Sequence, residues 1–402
     1  MNRLLIVILA ALSMLGALSI DAYLPALPTI AGHFGTTLGA AQQSLTAYVF
    51  AFAVMTLFYG TLSDSFGRRV IVIWSLVFYL LGSIGAACAP SLEMLIVFRL
   101  LQGLSAGGGA VVARAMVADL FTGAEAHRVM SYINVVFGLA PALAPIIGGW
   151  LLAGFGWRSI FWFIALFSLI LLAACLSALR ESLPREKRQK FQPREVLVSY
   201  WQVGSHPFFL LRSFSLAMAY SGVMIYVGAA PVFVMDVMGL TITDFGWLFI
   251  PFIGGMTAGS VAAGWLSNRV KTGLVLSSGF GIMVLAGVWN VVYAAAFFQK
   301  GTFPLWPVLP LVAFSFGAAL CSPAMSMITL EMFPKNRGLA ASLQTFIFMM
   351  LFALVSGLVV PHLSASPLPF AVAVLIGALL CVALWAVAAG APVRPAESSS
   401  GE

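Results

Sequence analysis

The sequence predicts an all-α integral membrane protein of twelve transmembrane helices in two six-helix bundles. Three observations carry that prediction. Of the 402 residues, 61% are hydrophobic and only 8% are charged, against about 25% charged in soluble domains. The mean hydropathy is +1.04. No aqueous fold of this length hides so much apolar surface, because a large share of a globular surface must be polar. The apolar residues also fall into runs of about 20 or more, the length that crosses a bilayer. Finally, a polar segment from Arg180 to His206 divides the runs into two sets of six.

In the first half the runs cover 4–30, 41–63, 70–89, 92–114, 126–153 and 157–179. In the second half they cover 207–234, 244–266, 273–298, 304–330, 338–361 and 368–390. The first run follows Arg3, as a secretory signal would. It is too long for an h-region and contains Asp21 and Pro25, so it reads as a retained helix. The expected domains are an N-terminal bundle over 1–180, a cytoplasmic basic linker over 181–206, a C-terminal bundle over 207–390 and a cytoplasmic tail over 391–402. The linker carries Arg185, Glu186, Lys187, Arg188, Lys190 and Arg194 and reads as a solvated, partly helical tether. Contact with anionic lipid is an additional role open to it.

Orientation follows from the basic residues. With the turn after the second run in the cytoplasm, Arg3, Arg68, Arg69, Arg114, Arg128, the linker bases, Arg212, Arg269, Lys271, Lys335, Arg337 and Arg394 fall on or near that face. Only Arg158 and Lys300 fall outside, and Arg99 falls within the membrane. The positive-inside rule then places the N- and C-termini in the cytoplasm. The net charge of +7 therefore serves topology, and no nucleic-acid partner is expected. Cys88, Cys175, Cys321 and Cys381 lie in or beside apolar runs without metal-ligand spacing and read as small hydrophobes. The histidines sit at run ends or in loops. No metal and no cofactor is expected.

Asp21 stands alone as an acid inside the first run. An ionisable side chain at membrane depth is costly and marks an ion, proton or substrate path by default. Arg99, in the fourth run, is a partner of opposite sign. Asp21 precedes the outer end of its run by roughly 13 Å, and Arg99 follows the outer end of its run by roughly 10 Å, at the helical rise. The two therefore lie at comparable depth. Desolvation and a neighbouring guanidinium pull a carboxyl in opposite directions, and that competition suits proton exchange. Whether the two groups touch is left open.

Gly60-Thr-Leu-Ser-Asp64-Ser-Phe-Gly67-Arg68-Arg69 closes the second run and opens a very short turn. Gly60 is expected to allow close helix approach and Gly67 a tight turn. Asp64 would cap the next helix or pair with a base, while Arg68 and Arg69 would face water and anionic head groups. Gly264-Trp-Leu-Ser-Asn268-Arg269 repeats the device six runs later, which points to two related halves with a binding site between them. In the fourth run, Arg99, Gln102 and Ala106 share a helix face, as do Arg99 and Gly103. The small residues there would let a buried guanidinium be held against a neighbour; the alternative is an Arg99 that snorkels to the outer surface. In the fifth run, Gly138, Pro141, Pro145, Gly148 and Gly149 would allow a bend with close packing. Gly255-Met-Thr-Ala-Gly259 is expected to be a packing face. Gly103-Leu-Ser105-Ala-Gly107 has the spelling of a hydrolase elbow, but the elbow needs a strand-to-helix turn and a triad histidine. Neither is expected here, so an enzyme is not predicted. Tyr23, Tyr48, Tyr132, Asn134, Tyr220, Tyr226 and Gln344 are candidate substrate-facing groups, although each alone also fits plain helix packing.

The G-x-x-x-D-x-x-G-R-R turn, the R-x-x-Q-G of the fourth run and the Pro/Gly pattern of the fifth together resemble the major facilitator superfamily. Ser65 stands where a base is usual, and an Ala-Pro pair replaces the usual Gly-Pro. Asp21-Ala-Tyr-Leu-Pro25-Ala-Leu-Pro28 and Arg114-Ala-Met-Val-Ala-Asp119-Leu-Phe narrow the likeness to the bicyclomycin and chloramphenicol resistance (Bcr/CflA) drug–proton antiporters. The resemblance covers the whole chain in segment order. It implies the major facilitator fold and a monomer in a bacterial inner membrane, surrounded by lipid. It also implies export of small amphipathic molecules in exchange for protons, driven by the proton gradient without a cofactor. Asp21 would carry the proton, Arg99 would tune it, and the fifth-run motif would mark an antiporter. Some multidrug relatives carry a second acid about two turns before the first-helix Asp. Ser13 stands there, which argues against strong selection for cations. A dedicated exporter of a sugar, nucleoside or amino acid with the same motor is the alternative, and a channel is disfavoured by the two-half build.

Overall fold

A computed structural model of the chain describes residues 3–189, 192–267, 269–300, 303–363 and 366–389. Lys190, Asn268, Arg394 and the tail over 391–402 lie outside the described residues, as do the side chains of Arg3 and His127. Every regular element among the described residues is helical.

Helix α1 (Arg3–Asp21) ends on its own acid, and a 3-10 turn (Leu24–Ala26) leads into α2 (Leu27–His33). Pro25 and Pro28 supply no backbone N–H, and each disfavours helical geometry in the residue before it. The run expected as one helix over 4–30 is therefore interrupted directly after Asp21. Thr37 caps α3 (Leu38–Phe66), its Oγ1 accepting from the Ala40 amide at 3.2 Å. Gly67, at φ +101°, ends α3 and starts α4 (Arg68–Ala87), a backbone conformation that favours glycine. Ser91 caps α5 (Leu92–Leu120) by accepting from the Met94 amide at 3.3 Å. Helices α6 (Gly123–Phe155) and α7 (Arg158–Ala178) follow, and α6 runs unbroken through Pro141 and Pro145.

Helix α8 (Pro193–Gly204) lies in the polar segment. Helices α9 (Pro207–Ala219) and α10 (Ser221–Gly228) meet at a bend of 49°, so the seventh run is broken at Tyr220 and is not the single helix expected over 207–234. The remaining helices are α11 (Gly246–Leu266), α12 (Thr272–Val292), α13 (Leu309–Leu330), α14 (Arg337–Leu354) and α15 (Pro367–Ala389). Among the described residues, eleven spans are long and apolar enough to cross a membrane, or twelve when the bent pair counts as one. The chain is a multi-pass membrane protein.

Two compact units form. The first comprises Met1–Gln192 together with Leu240–Phe249 and Phe352–Pro361. In it α5 packs against α1, α3 and α4. The approach of α5 to α3 is so close that a Cβ at Gly103 would collide with the Tyr48 carbonyl oxygen. The segment Phe352–Pro361 joins this unit through side chains of α3: Gln42 Nε2 donates to Ser356 Oγ at 2.8 Å, and Gln43 Nε2 to the Gly357 carbonyl at 3.2 Å. The second unit comprises Pro193–Gly239, Ile250–Leu351 and His362–Glu402. There Gly255 and Gly259 let α11 lie against the Val312 and Phe316 carbonyls of α13, the packing face the sequence suggested.

Gly60, in contrast, has nothing within 4 Å of where its Cβ would be, so the close approach expected there is not made. The two glycines should therefore respond oppositely to alanine. Gly103→Ala forces helices apart and should destabilise by about 1–3 kcal/mol. Gly60→Ala should be neutral or stabilise by up to about 1 kcal/mol, since alanine is the better helix former. Thermal unfolding of the purified variants in detergent checks both signs.

Candidate functional site

The first unit holds a caged cation. Arg99 of α5 is 0% exposed. Its guanidinium lies over the Tyr48 ring at 4.1 Å and the Tyr23 ring at 4.6 Å, with Phe161 at 5.9 Å. Such a sandwich holds a cation by the ring quadrupoles, most strongly where water is absent. Nη1 donates to Gln102 Oε1 at 2.9 Å, and Gln102 Nε2 donates to Ser83 Oγ at 2.8 Å. The three-residue spacing of the motif is what places Gln102 one helical turn away on the same face. Nε and Nη2 of Arg99 have no hydrogen-bond partner. The cage is itself anchored: Tyr23 hydrogen-bonds Ser44 at 2.7 Å, Tyr48 donates to the Gly16 carbonyl at 3.1 Å, and Ser19 and Tyr79 share a hydrogen bond. Arg99 does not snorkel.

Asp21 is 5% exposed and sits where α1 stops. Ion pairs among the described residues include Arg68–Asp64, Arg68–Asp119 and Arg188–Glu181, and none joins Asp21 to Arg99. The two are linked through the chain instead, since Tyr23 of the cage follows Asp21 by two residues. Gly148 of α6 presses on the same spot: a Cβ there would collide with the Ala22 carbonyl oxygen. Gly149 makes a similar approach to the Ile242 carbonyl. Gly138 has open space around it, so the close packing expected across the whole motif holds only at its far end.

The turn after α3 is built around Arg68. Its guanidinium meets Asp64 at 2.5 Å, Asp119 of α5 at 3.1 Å and Ser63 Oγ at 2.6 Å. Arg68 is only 8% exposed, and Arg69 donates to the Leu176 carbonyl at 3.0 Å. The expectation that both bases face water and head groups is therefore corrected for Arg68, whereas Arg69 is half-buried and makes its bond at the exposed surface. Two carboxylates and a hydroxyl give Arg68 a better set of acceptors inside the turn. Glu181 accepts from the Arg68 amide at 2.9 Å and pairs with Arg188 at 3.4 Å, while Ser182 donates to Asp119 at 2.9 Å. The start of the linker is thus docked on the turn rather than wholly solvated. Sequence reading passed over Glu181 and Ser182; the available signal was an acid directly after a membrane run in an otherwise basic segment.

Of the remaining candidates, Tyr220 and Gln344 line a cavity of about 450 Å³ inside the second unit. Tyr23 and Tyr48 are fully buried with their rings against Arg99. Tyr226 is buried and accepts from Asn290 Nδ2 at 3.0 Å. Tyr132 and Asn134 are exposed on α6. The Arg68 network makes a direct prediction. A double-mutant cycle of Arg68→Ala and Asp119→Ala should give a coupling energy of roughly 1 kcal/mol or more. Chemical unfolding in detergent measures it, and a coupling near zero contradicts the network.

Residues 9–350 match the family described as the Major Facilitator Superfamily. The chain is 28% identical to a bicyclomycin resistance protein homolog of Haemophilus influenzae over 340 residues, covering 84% of each chain. It is 29% identical to multidrug resistance protein D of Escherichia coli over 341 residues, again covering 84% of each. Among solved structures it resembles a D-xylose–proton symporter with a TM-score of 0.72 at 15% identity, covering 94% of this chain and 96% of that one. The human organic anion transporter MFSD10 gives a TM-score of 0.62 at 18% identity, covering 94% and 99%. A membrane fold of eleven or twelve helices, the signature turn and a family match over most of its length lead to one conclusion: this chain belongs to the Major Facilitator Superfamily and is a transporter, not an enzyme.

Proposed function

We propose that the chain exports small, amphipathic drug-like molecules across a bacterial inner membrane in exchange for protons. Export of drugs is supported by the relatives, which bear the names of bicyclomycin and multidrug resistance proteins. The observation that carries proton coupling is Asp21 itself. It is a buried carboxyl in a membrane span, without an ion-pair partner, at an interruption in its helix. A charge in such a place is expensive, so a proton accompanies the carboxyl in this arrangement. When the proton leaves, the carboxylate needs a new partner. Arg99 in the same unit has Nε and Nη2 free to donate.

The interruption after Asp21 lets the acid shift without unwinding a helix, and Gly148 lies against Ala22 at that point. Movement of the acid is thereby felt by α6. Proton and substrate need not meet, since coupling requires only that each favours a different conformation. In this reading the Arg68 turn, the linker and both termini lie in the cytoplasm, the six-run halves 1–180 and 207–390 are the moving bodies, and the transporter works as a monomer.

Asp21→Asn should abolish efflux driven by a pH gradient in everted vesicles, while the purified protein stays folded and monodisperse. Efflux that persists at the wild-type rate with the gradient imposed removes Asp21 from the role.

A further inference from the structure

We infer that the cavity in the second unit binds an uncharged molecule bearing a hydrogen-bond acceptor, held by Gln344 and Ser213. The inference rests on the export reading above and names the substrate class for it. The cavity lies between α9, α11, α13 and α14 and has about 450 Å³ of space, within the range of roughly 300–1,000 Å³ seen for small-molecule sites. Its lining mixes hydroxyl and amide groups with apolar surface from Leu216 and Phe348, and among the described residues that line it none is charged.

Two buried polar groups in that lining are incomplete. Gln344 is 7% exposed; its Oε1 accepts from Ser326 Oγ at 3.0 Å, which directs the amide nitrogen elsewhere, and Nε2 has no partner. Ser213 is 2% exposed, and its Oγ also has no partner. A buried donor left unmade is a desolvation penalty without return, and a ligand oxygen meeting Nε2 removes it. The neighbouring polar pair is already complete, because Tyr220 and Ser322 hydrogen-bond each other at 2.8 Å. Phe348 stands edge-on to Tyr220 at 5.6 Å and offers an apolar wall to the ligand's other face. The chemistry therefore fits a neutral molecule with a carbonyl or hydroxyl oxygen on one side and an apolar group on the other. A cation entering the cavity would lose its hydration and meet no carboxylate in exchange, a net penalty.

Binding to the purified full-length protein in detergent tests this with two probes: chloramphenicol, a neutral amide diol with an aryl face, and tetraphenylphosphonium, an apolar cation. The wild type should bind chloramphenicol at least ten-fold more tightly than tetraphenylphosphonium. Gln344→Ala and the conservative Ser213→Ala should each weaken chloramphenicol binding about five-fold or more, with the thermal melt reporting that each variant is folded. Gln344→Glu, which supplies the missing carboxylate, should reverse the preference between the probes. Absence of chloramphenicol binding, equal or tighter binding of the cation by the wild type, or unchanged chloramphenicol affinity in both folded variants overturns the inference. Asp21→Asn separates the two claims. It should still bind chloramphenicol in preference to tetraphenylphosphonium, with only the affinity change that proton linkage imposes, so loss of coupled efflux and loss of ligand recognition are read independently.

Discussion

A guanidinium sealed inside an apolar bundle is the constraint from which the first unit's architecture follows. In lipid, polar groups must find their partners within the protein. Arg99 finds aromatic faces and one amide, and each depends on a local feature of the chain. Tyr48 reaches the guanidinium because Gly103 lets α3 and α5 touch backbone to side-chain position. Tyr23 reaches it because the prolines that follow Asp21 turn the chain out of α1. Gln102 reaches it through helical spacing and is itself steadied by Ser83 of α4. The cage therefore binds α1, α3, α4 and α5 into one body, and it leaves two donors of Arg99 uncommitted.

The same logic operates at the Arg68 turn with a different balance. There the base has two carboxylates, and the result is a fastened corner joining α3, α4, α5 and the start of the linker. Arg68 is satisfied and Arg99 is not. A satisfied cation rigidifies, whereas an incompletely satisfied one in a dry site can change partners. This contrast is why the turn reads as structure and the α5 cation as part of the motor.

Much of this was legible in the residues. Run lengths mark the spans, and the turn, α5 and α6 motifs point to the family. Asp21 and Arg99 stood out because a charge in an apolar run has few explanations. What could not be read was partnership. The depth argument placed Asp21 and Arg99 near one another in height, yet a helical rise says nothing about which way a side chain turns, and no ion pair joins them. Arg68 was assigned to the surface because its carboxylates include Asp119, some fifty positions away, which periodicity does not bring near. Breaks at Tyr220 and after Asp21 were missed since both lie in runs whose hydropathy continues across them. Gly60 and Gly138 were over-read, because a glycine in a motif is a close contact only if a neighbour arrives. The cavity around Gln344 draws on four helices of distant sequence and has no local signature.

Proton exchange at Asp21 is the centre of the account, and it is open to direct measurement without vesicles or gradients. Weakly buffered, purified protein carrying a pH indicator is mixed with chloramphenicol, and the protons released are counted for the wild type and for Asp21→Asn. The account predicts release from the wild type and none from the variant at equal ligand occupancy. Equal release from both would place the exchanging proton on another group and contradict it.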